Sequence, residues 1–325
     1  MKRSIVSVFI MYIFLSLIFL SCQKRETVPA GEKTIKVVTT LFPVYDFAKN
    51  VGGKRVQVEL LLLPGMEPHS FEPKPGDIRK ISDADVFMYT GKFMEPWIED
   101  VLNGVPNKNL LVINTSMGIA LAEDRDLAEH HKYEKKSESQ REHHHEYNGK
   151  DPHIWLDFSN AQTMVENILN GFITKDPANR DEYLKNAEAY SAQLSRLDSQ
   201  FQEVRASCKK DMIIHGGHFA FGYLARRYQL QYLSAYRGFS PNAEPTPGNI
   251  IQLIKNFRNH HLNYIFFEEL VSPNVSETIS RETGAKLLML HGAHNITRNE
   301  WEQNVTFISL MDNNLKALRI GLECQ

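Results

Sequence analysis

The chain has 325 residues, with 37 Lys and Arg against 39 Asp and Glu, 42% hydrophobic side chains, three Cys and 13 His. A formal charge of −2 with no basic cluster excludes a nucleic-acid footprint, and an apolar share this high excludes a disordered chain. Three cysteines are too few for a disulfide scaffold, so the fold must rest on a hydrophobic core, and the length allows two lobes; the abundant histidine is left to be explained by chemistry.

In chain order, the first element is an export signal. Lys2 and Arg3 form a positive start, residues 5–20 are an almost unbroken apolar run, and Phe19-Leu20-Ser21-Cys22 ends it with a small residue before a cysteine. This resembles a bacterial lipoprotein signal, with Phe19 where Leu is usual. Residues 1–21 are then a removed leader, Cys22 is the lipid-bearing mature N-terminus, and 22–32 form a polar leash. Cleavage leaves 35 basic and 39 acidic side chains, a formal charge of −4. No other run is long enough to span a membrane.

Short apolar runs then alternate with helical patterns, the signature of βαβ units and a mainly parallel sheet. Residues 35–40, 56–63, 85–89 and 110–114 read as strands of an N-terminal lobe, 33–178. Within it, 123–150 is a charged, low-complexity loop carrying His130, His131, His143, His144 and His145. Neutral imidazole suits zinc, copper and nickel, so such a loop can gather metal with little geometric choice; a solvated insertion with accidental histidines is the other reading. Tyr183, Ala187, Tyr190, Leu194, Leu197, Phe201 and Val204 step by four and three, predicting a helix over 179–207, about 43 Å long, which suits a rod joining two lobes. Residues 208–325 form a C-terminal lobe with strands at 212–215, 231–234, 264–268 and 286–290. The fold class is α/β. Cys208 and Cys324 would face an oxidising compartment, where a disulfide and two free thiols both stay open.

Four histidines follow strands or lie in loops of both lobes: His69 in Glu67-Pro68-His69-Ser70-Phe71-Glu72-Pro73, His153 in Asp151-Pro152-His153-Ile154-Trp155-Leu156-Asp157, His218 in the segment beginning His218-Phe219-Ala220-Phe221-Gly222-Tyr223, and His294 after 286–290. Ligands collect at the carboxyl ends of strands in open α/β sheets, and four converging imidazoles would make a closed tetrahedral site that suits zinc. The first three segments, in this order and with the His-rich loop before the second, resemble the zinc and manganese substrate-binding proteins of bacterial ABC importers over residues 33–322.

That resemblance implies two (β/α) lobes with parallel-type sheets joined by one long rigid helix, and a metal site in the cleft between them. It makes His69 and His153 ligands from the first lobe and His218 the ligand from the second. The family's fourth ligand is usually a carboxylate in the loop after the last strand pair; His294 falls at that place, with His291 and then water as alternatives. Glu67 can orient an imidazole or simply belong to its loop, and His215 reads as a residue behind the ligands or at the strand end. Asp157 reads as a helix cap and Glu244 as a structural residue of a Pro-rich loop. Imidazoles without a matching carboxylate point to Zn2+ as cargo; Mn2+ would favour oxygen donors.

The implied function is a monomeric, lipid-anchored extracytoplasmic receptor that delivers metal to an ABC permease in the cytoplasmic membrane and performs no catalysis. A manganese receptor of the same type and a zinc-binding adhesin or storage lipoprotein are the alternatives. A secreted zinc hydrolase is a more distant one. It needs an open coordination position and a general base, no His-Glu-x-x-His pair is present, and Glu268-Glu269 is the only weak candidate base.

Overall fold

The computed structural model describes residues 34–123, 149–236, 239 and 245–325. The leader, Cys22, the leash, Glu244 and His130, His131, His143, His144 and His145 lie outside the described residues. No helix among the described residues is long and apolar enough to cross a membrane.

Two four-stranded sheets organise the chain. The first contains β1 (Ile35–Thr39), β2 (Val56–Leu60), β3 (Val86–Tyr89) and β4 (Leu111–Asn114) in the order β2-β1-β3-β4. The second contains β5 (Met212–His215), β6 (Gln231–Ser234), β7 (Tyr264–Phe267) and β8 (Lys286–Met289) in the order β6-β5-β7-β8. Every pairing is parallel. Several strands stop short of their apolar runs. Leu61 and Leu62 are buried like Leu60 before them, yet lie past the end of β2 on the way to Pro64: apolar character marks burial, and the hydrogen-bonded ladder is the shorter object.

Helix α1 (Phe42–Gly52) carries the chain from β1 to β2, burying Phe42, Val44, Phe47, Ala48 and Val51. It ends at Gly53, whose φ of +55° is one that side chains with a Cβ rarely adopt. The chain continues through α2 (Pro75–Ser82), α3 (Ile98–Gly104) and α4 (Phe158–Lys175). Asp157 caps α4 by accepting the Ser159 N–H at 2.8 Å. A 3-10 turn at Pro177–Asn179 then leads into α5 (Arg180–Ser207), 28 residues or about 42 Å long. Its buried stripe is Tyr183, Ala187, Tyr190, Leu194, Leu197, Phe201 and Val204.

The second sheet is completed by α6 (Gly222–Arg227), α7 (Pro247–Asn259), α8 (Asn274–Thr283), α9 (Arg298–Glu302) and α10 (Phe307–Gly321). Helix α5 packs on α1, α4 and α10, so it touches helices that follow strands of both sheets. Asp46 on α1 sits at the junction: it accepts from the Tyr190 hydroxyl at 2.8 Å and from the Phe307 N–H at 3.3 Å. One hydrophobic core runs through both sheets, from Val37 and Phe87 to Phe266 and Leu290, and a smaller one under Ile214, Leu253 and Phe257 supports the second sheet alone. Each large side chain withdrawn from water there contributes roughly 1.5–3 kcal/mol, so a continuous core opposes separation of the lobes. Cys208, at the end of α5, is joined by a disulfide to Cys324 near the chain terminus.

Candidate metal centre

His69, His153, His218 and His294 come together between the two sheets, one ring nitrogen from each lying within 4.8 Å of all the others. His69 sits on the single 3-10 turn Pro68–Ser70 after β2. Glu67 caps that turn, accepting from the His69 N–H at 3.1 Å and the Ser70 N–H at 2.9 Å. Of the two readings of Glu67, this contact supports the loop residue: its carboxylate holds the backbone that presents the ring.

The other three rings are each backed by a buried carboxylate. Asp151 Oδ1 accepts from the His153 N–H at 3.0 Å and lies 2.7 Å from His153 Nδ1. Glu268 Oε1 accepts from the His218 N–H at 2.9 Å, and its Oε2 lies 2.6 Å from His218 Nδ1. This approach requires Gly217, because a Cβ there would collide with the Glu268 carboxylate. Glu269 Oε1 lies 3.3 Å from His294 Nδ1, while its Oε2 accepts the Gly292 N–H at 2.7 Å. A proton on Nδ1 directed at Asp151 from His153 and at Glu269 from His294 leaves the Nε2 lone pair free, the form in which imidazole binds a metal; His218 Nδ1, though close to Glu268, has no hydrogen-bond partner among the described residues.

The spacings about His153 suit a tetrahedral ion, and every pair of ligand nitrogens lies within 4.8 Å. His153 Nε2 lies 3.3 Å from His69 Nε2 and 3.3 Å from His218 Nε2. Nitrogens bound to zinc at about 2.0–2.1 Å in a tetrahedron are about 3.3–3.4 Å apart. His294 Nε2 is buried with no hydrogen-bond partner among the described residues. Burial, then the mutual repulsion of the rings, holds His69, His153 and His218 well below the usual histidine pKa, so they stay neutral. Burial also pushes Glu268 up to about 7, with His215 opposing and Glu269 adding to the rise. Burial pushes Glu269 the same way, but the His291 charge, the His294 hydrogen bond and charge, and the Gly292 N–H outweigh it and bring Glu269 to about 2.

The remaining candidates lie outside this group. His291, weighed as an alternative fourth ligand, is turned away: its ring nitrogens lie 3.4 Å from Glu269 and 3.4 Å from Glu300, and its N–H donates to Asn314 Oδ1 at 2.7 Å. Burial lowers its pKa, but the Glu269 charge and the Glu300 hydrogen bond raise it above the ordinary histidine value. His215 is the last residue of β5, and its Nδ1 accepts the Gly217 N–H at 3.1 Å, fixing the turn that delivers His218.

Sequence reasoning missed the carboxylates at Asp151, Glu268 and Glu269 as partners of the rings. Asp151 lies two residues before His153 and was open to notice. The other two stand at the end of β7, far in sequence from their partners, and were weighed only as a hydrolytic base. Their oxygens instead face imidazoles and backbone N–H groups.

The family model described as zinc-uptake complex component A, periplasmic, matches residues 37–321. The chain is 34% identical over 302 residues to the high-affinity zinc uptake system protein ZnuA of Bacillus subtilis, covering 93% of this chain and 92% of that one. It is 33% identical over 303 residues to the zinc-binding protein AdcA of Streptococcus pyogenes, covering 92% of this chain but spanning only 58% of that longer protein. Among solved structures, the Zn(II)-bound ZnuA-like domain of Streptococcus pneumoniae AdcA is similar with a TM-score of 0.73 at 31% identity, covering 89% of this chain and 99% of that one.

Proposed function

The chain belongs to the zinc-uptake complex component A family, and from that premise we propose that it captures Zn2+ outside the cytoplasm and hands it to an ABC-type permease. The observation that carries this reading is the set of four imidazole nitrogens within 4.8 Å of one another, two of the spacings at 3.3 Å, with a carboxylate behind three of the rings. In it, His69, His153, His218 and His294 hold the ion as cargo. Four neutral donors leave the bound ion its full double charge, and Asp151, Glu268 and Glu269 balance that charge from behind the rings. Zinc recruits ligands from both lobes and so favours the closed arrangement. The continuous core and the long α5 restrict the response to loop movement and a small tilt. Anchoring through Cys22 would keep a monomeric receptor beside its permease, with the His-rich segment gathering metal. No step makes or breaks a covalent bond.

Competition calorimetry with zinc and then manganese, on the chain from Gln23 onward with and without His218→Ala, tests this reading. The expected result is one tight zinc site that manganese does not displace and that collapses in the variant. Manganese binding as tight as zinc, or a site indifferent to His218→Ala, refutes it. Capacity for several zinc ions, lost with residues 124–148, would favour storage.

A further inference from the structure

His294 follows the last strand of the second sheet, yet its loop is fastened to the first lobe. The His294 carbonyl accepts the Phe42 N–H at 3.2 Å, the Gly292 carbonyl accepts from Trp155 Nε1 at 2.7 Å, and the Ile296 carbonyl accepts the Gly65 N–H at 2.7 Å. Ala293, next to His294, holds a φ of +59°, a conformation that a residue with a Cβ rarely adopts unless its surroundings impose it. Asn295, fully buried, makes the densest of these ties. Its Nδ2 donates to the Leu63 carbonyl at 2.8 Å and the Met66 carbonyl at 2.9 Å, while its Oδ1 accepts the Ile296 N–H at 2.9 Å. Leu63 and Met66 lie in the segment that leads from β2 to His69, and Asn295 is bonded in sequence to His294.

We propose that Asn295 is the positioning residue that sets the gap between the His69 and His294 loops, and thereby the rate at which the site lets zinc go. The proposal rests on the four-histidine reading above. One side chain grips both loops, so the two ligands are held near the other pair before metal arrives, and neither loop can move away without breaking the two hydrogen bonds of a buried amide. Both donors come from one amide nitrogen, so no residue lacking an N–H or O–H at that reach can replace it. Asn295→Asp keeps the shape and the acceptor for Ile296 but sets an oxygen against the two carbonyl oxygens.

The test measures zinc release into excess chelator by stopped flow, the visible spectrum of the Co2+-loaded protein, and the Tm of the metal-free protein. Asn295→Asp and Asn295→Ala are expected to release zinc about tenfold faster or more, the lower end of what disturbing the support of a metal ligand costs. They should also weaken the intense tetrahedral Co2+ bands. If Asn295→Ala does not fold, Asn295→Ser, which keeps one donor, is expected to fall between it and the parent. Release within twofold of the parent with unchanged Co2+ bands overturns the proposal, whatever happens to Tm, because a purely structural residue would move Tm alone. His69→Ala and His294→Ala serve as controls: if they too leave release unchanged, it is the four-histidine reading that fails, and the positioning role falls with it.

Discussion

Asp151→Asn removes one charge from behind His153 while keeping an oxygen that can accept from Nδ1 and from the His153 N–H, so it isolates electrostatics from hydrogen-bond geometry. From the 2.7 Å contact, the width of an imidazole ring and a zinc–nitrogen bond, the carboxylate oxygen would stand about 6.5 Å from the ion. At an effective dielectric constant of about 20, a single and a double charge at that separation attract by roughly 5 kcal/mol, which is a ceiling because the surroundings relax. Loss of such an outer partner generally weakens metal affinity 10–100-fold, or about 1.4–2.7 kcal/mol, and that range is expected here. The assay is competition with a chromophoric chelator at pH 8, where Glu268 with its pKa of about 7 is ionised and the other two carboxylates can be compared on equal terms. Glu268→Gln, at 2.6 Å from its ring, should cost about as much as Asp151→Asn, and Glu269→Gln, at 3.3 Å, should cost less zinc affinity. Zinc affinity within twofold of the parent in both Asp151→Asn and Glu268→Gln would refute the claim that these charges balance the ion.

Glu95 is buried in the first lobe, where Thr40 donates to it, as do the N–H groups of Thr90 at 3.1 Å and Gly91 at 2.8 Å; burial nevertheless pushes its pKa up to about 7 from 4.5. A raised carboxyl contributes stability that is complete below pH 4.5 and lost as pH rises through 7, about 3 kcal/mol in all, so the difference in urea stability between the parent and Glu95→Gln should change by that order between pH 4.5 and 8. The Cys208–Cys324 bridge closes a loop of 116 residues, which chain entropy values at about 5 kcal/mol, so the double Cys→Ala variant should unfold at clearly lower urea while keeping its zinc site. Deleting 124–148 should leave one tight zinc ion per chain, measured by metal analysis after dialysis.

What could be read from the sequence follows the range of the forces involved. Short apolar or β-branched runs between helical patterns made all eight strands legible, although β2 and β8 are mostly not buried, and a helix with one buried stripe writes a four-three step, so α5 was legible almost to the residue. The histidines were legible as motifs because each sits in a short local frame, such as the Glu67 cap two residues before His69. The support behind them was not: Glu268 reaches His218 across 50 residues, Glu269 reaches His294 across 25, and Asn295 reaches Leu63 across 232. Only the parallel order β5-β7-β8 brings the first two pairs to one end of the sheet, and only the docking of two lobes makes the third.

The four ligands are not equivalent in this scheme. His153, His218 and His294 are fully or nearly fully buried, and each has a carboxylate close to Nδ1, hydrogen-bonded to the ring at His153 and His294. His69 is the only one of the four of intermediate exposure, and no carboxylate meets its ring among the described residues. Its position is instead set through the main chain, by the Glu67 cap on one side and the grip of Asn295 on Leu63 and Met66 on the other. With its loop tied, the His69 ring still keeps freedom about its own side-chain bonds that a ring with a buried carboxylate behind it has less of, so the site combines three backed donors with one less constrained. A receptor that must bind zinc tightly and still surrender it intact needs that asymmetry, and His69, on the more open side of the cluster, is where the fold supplies it.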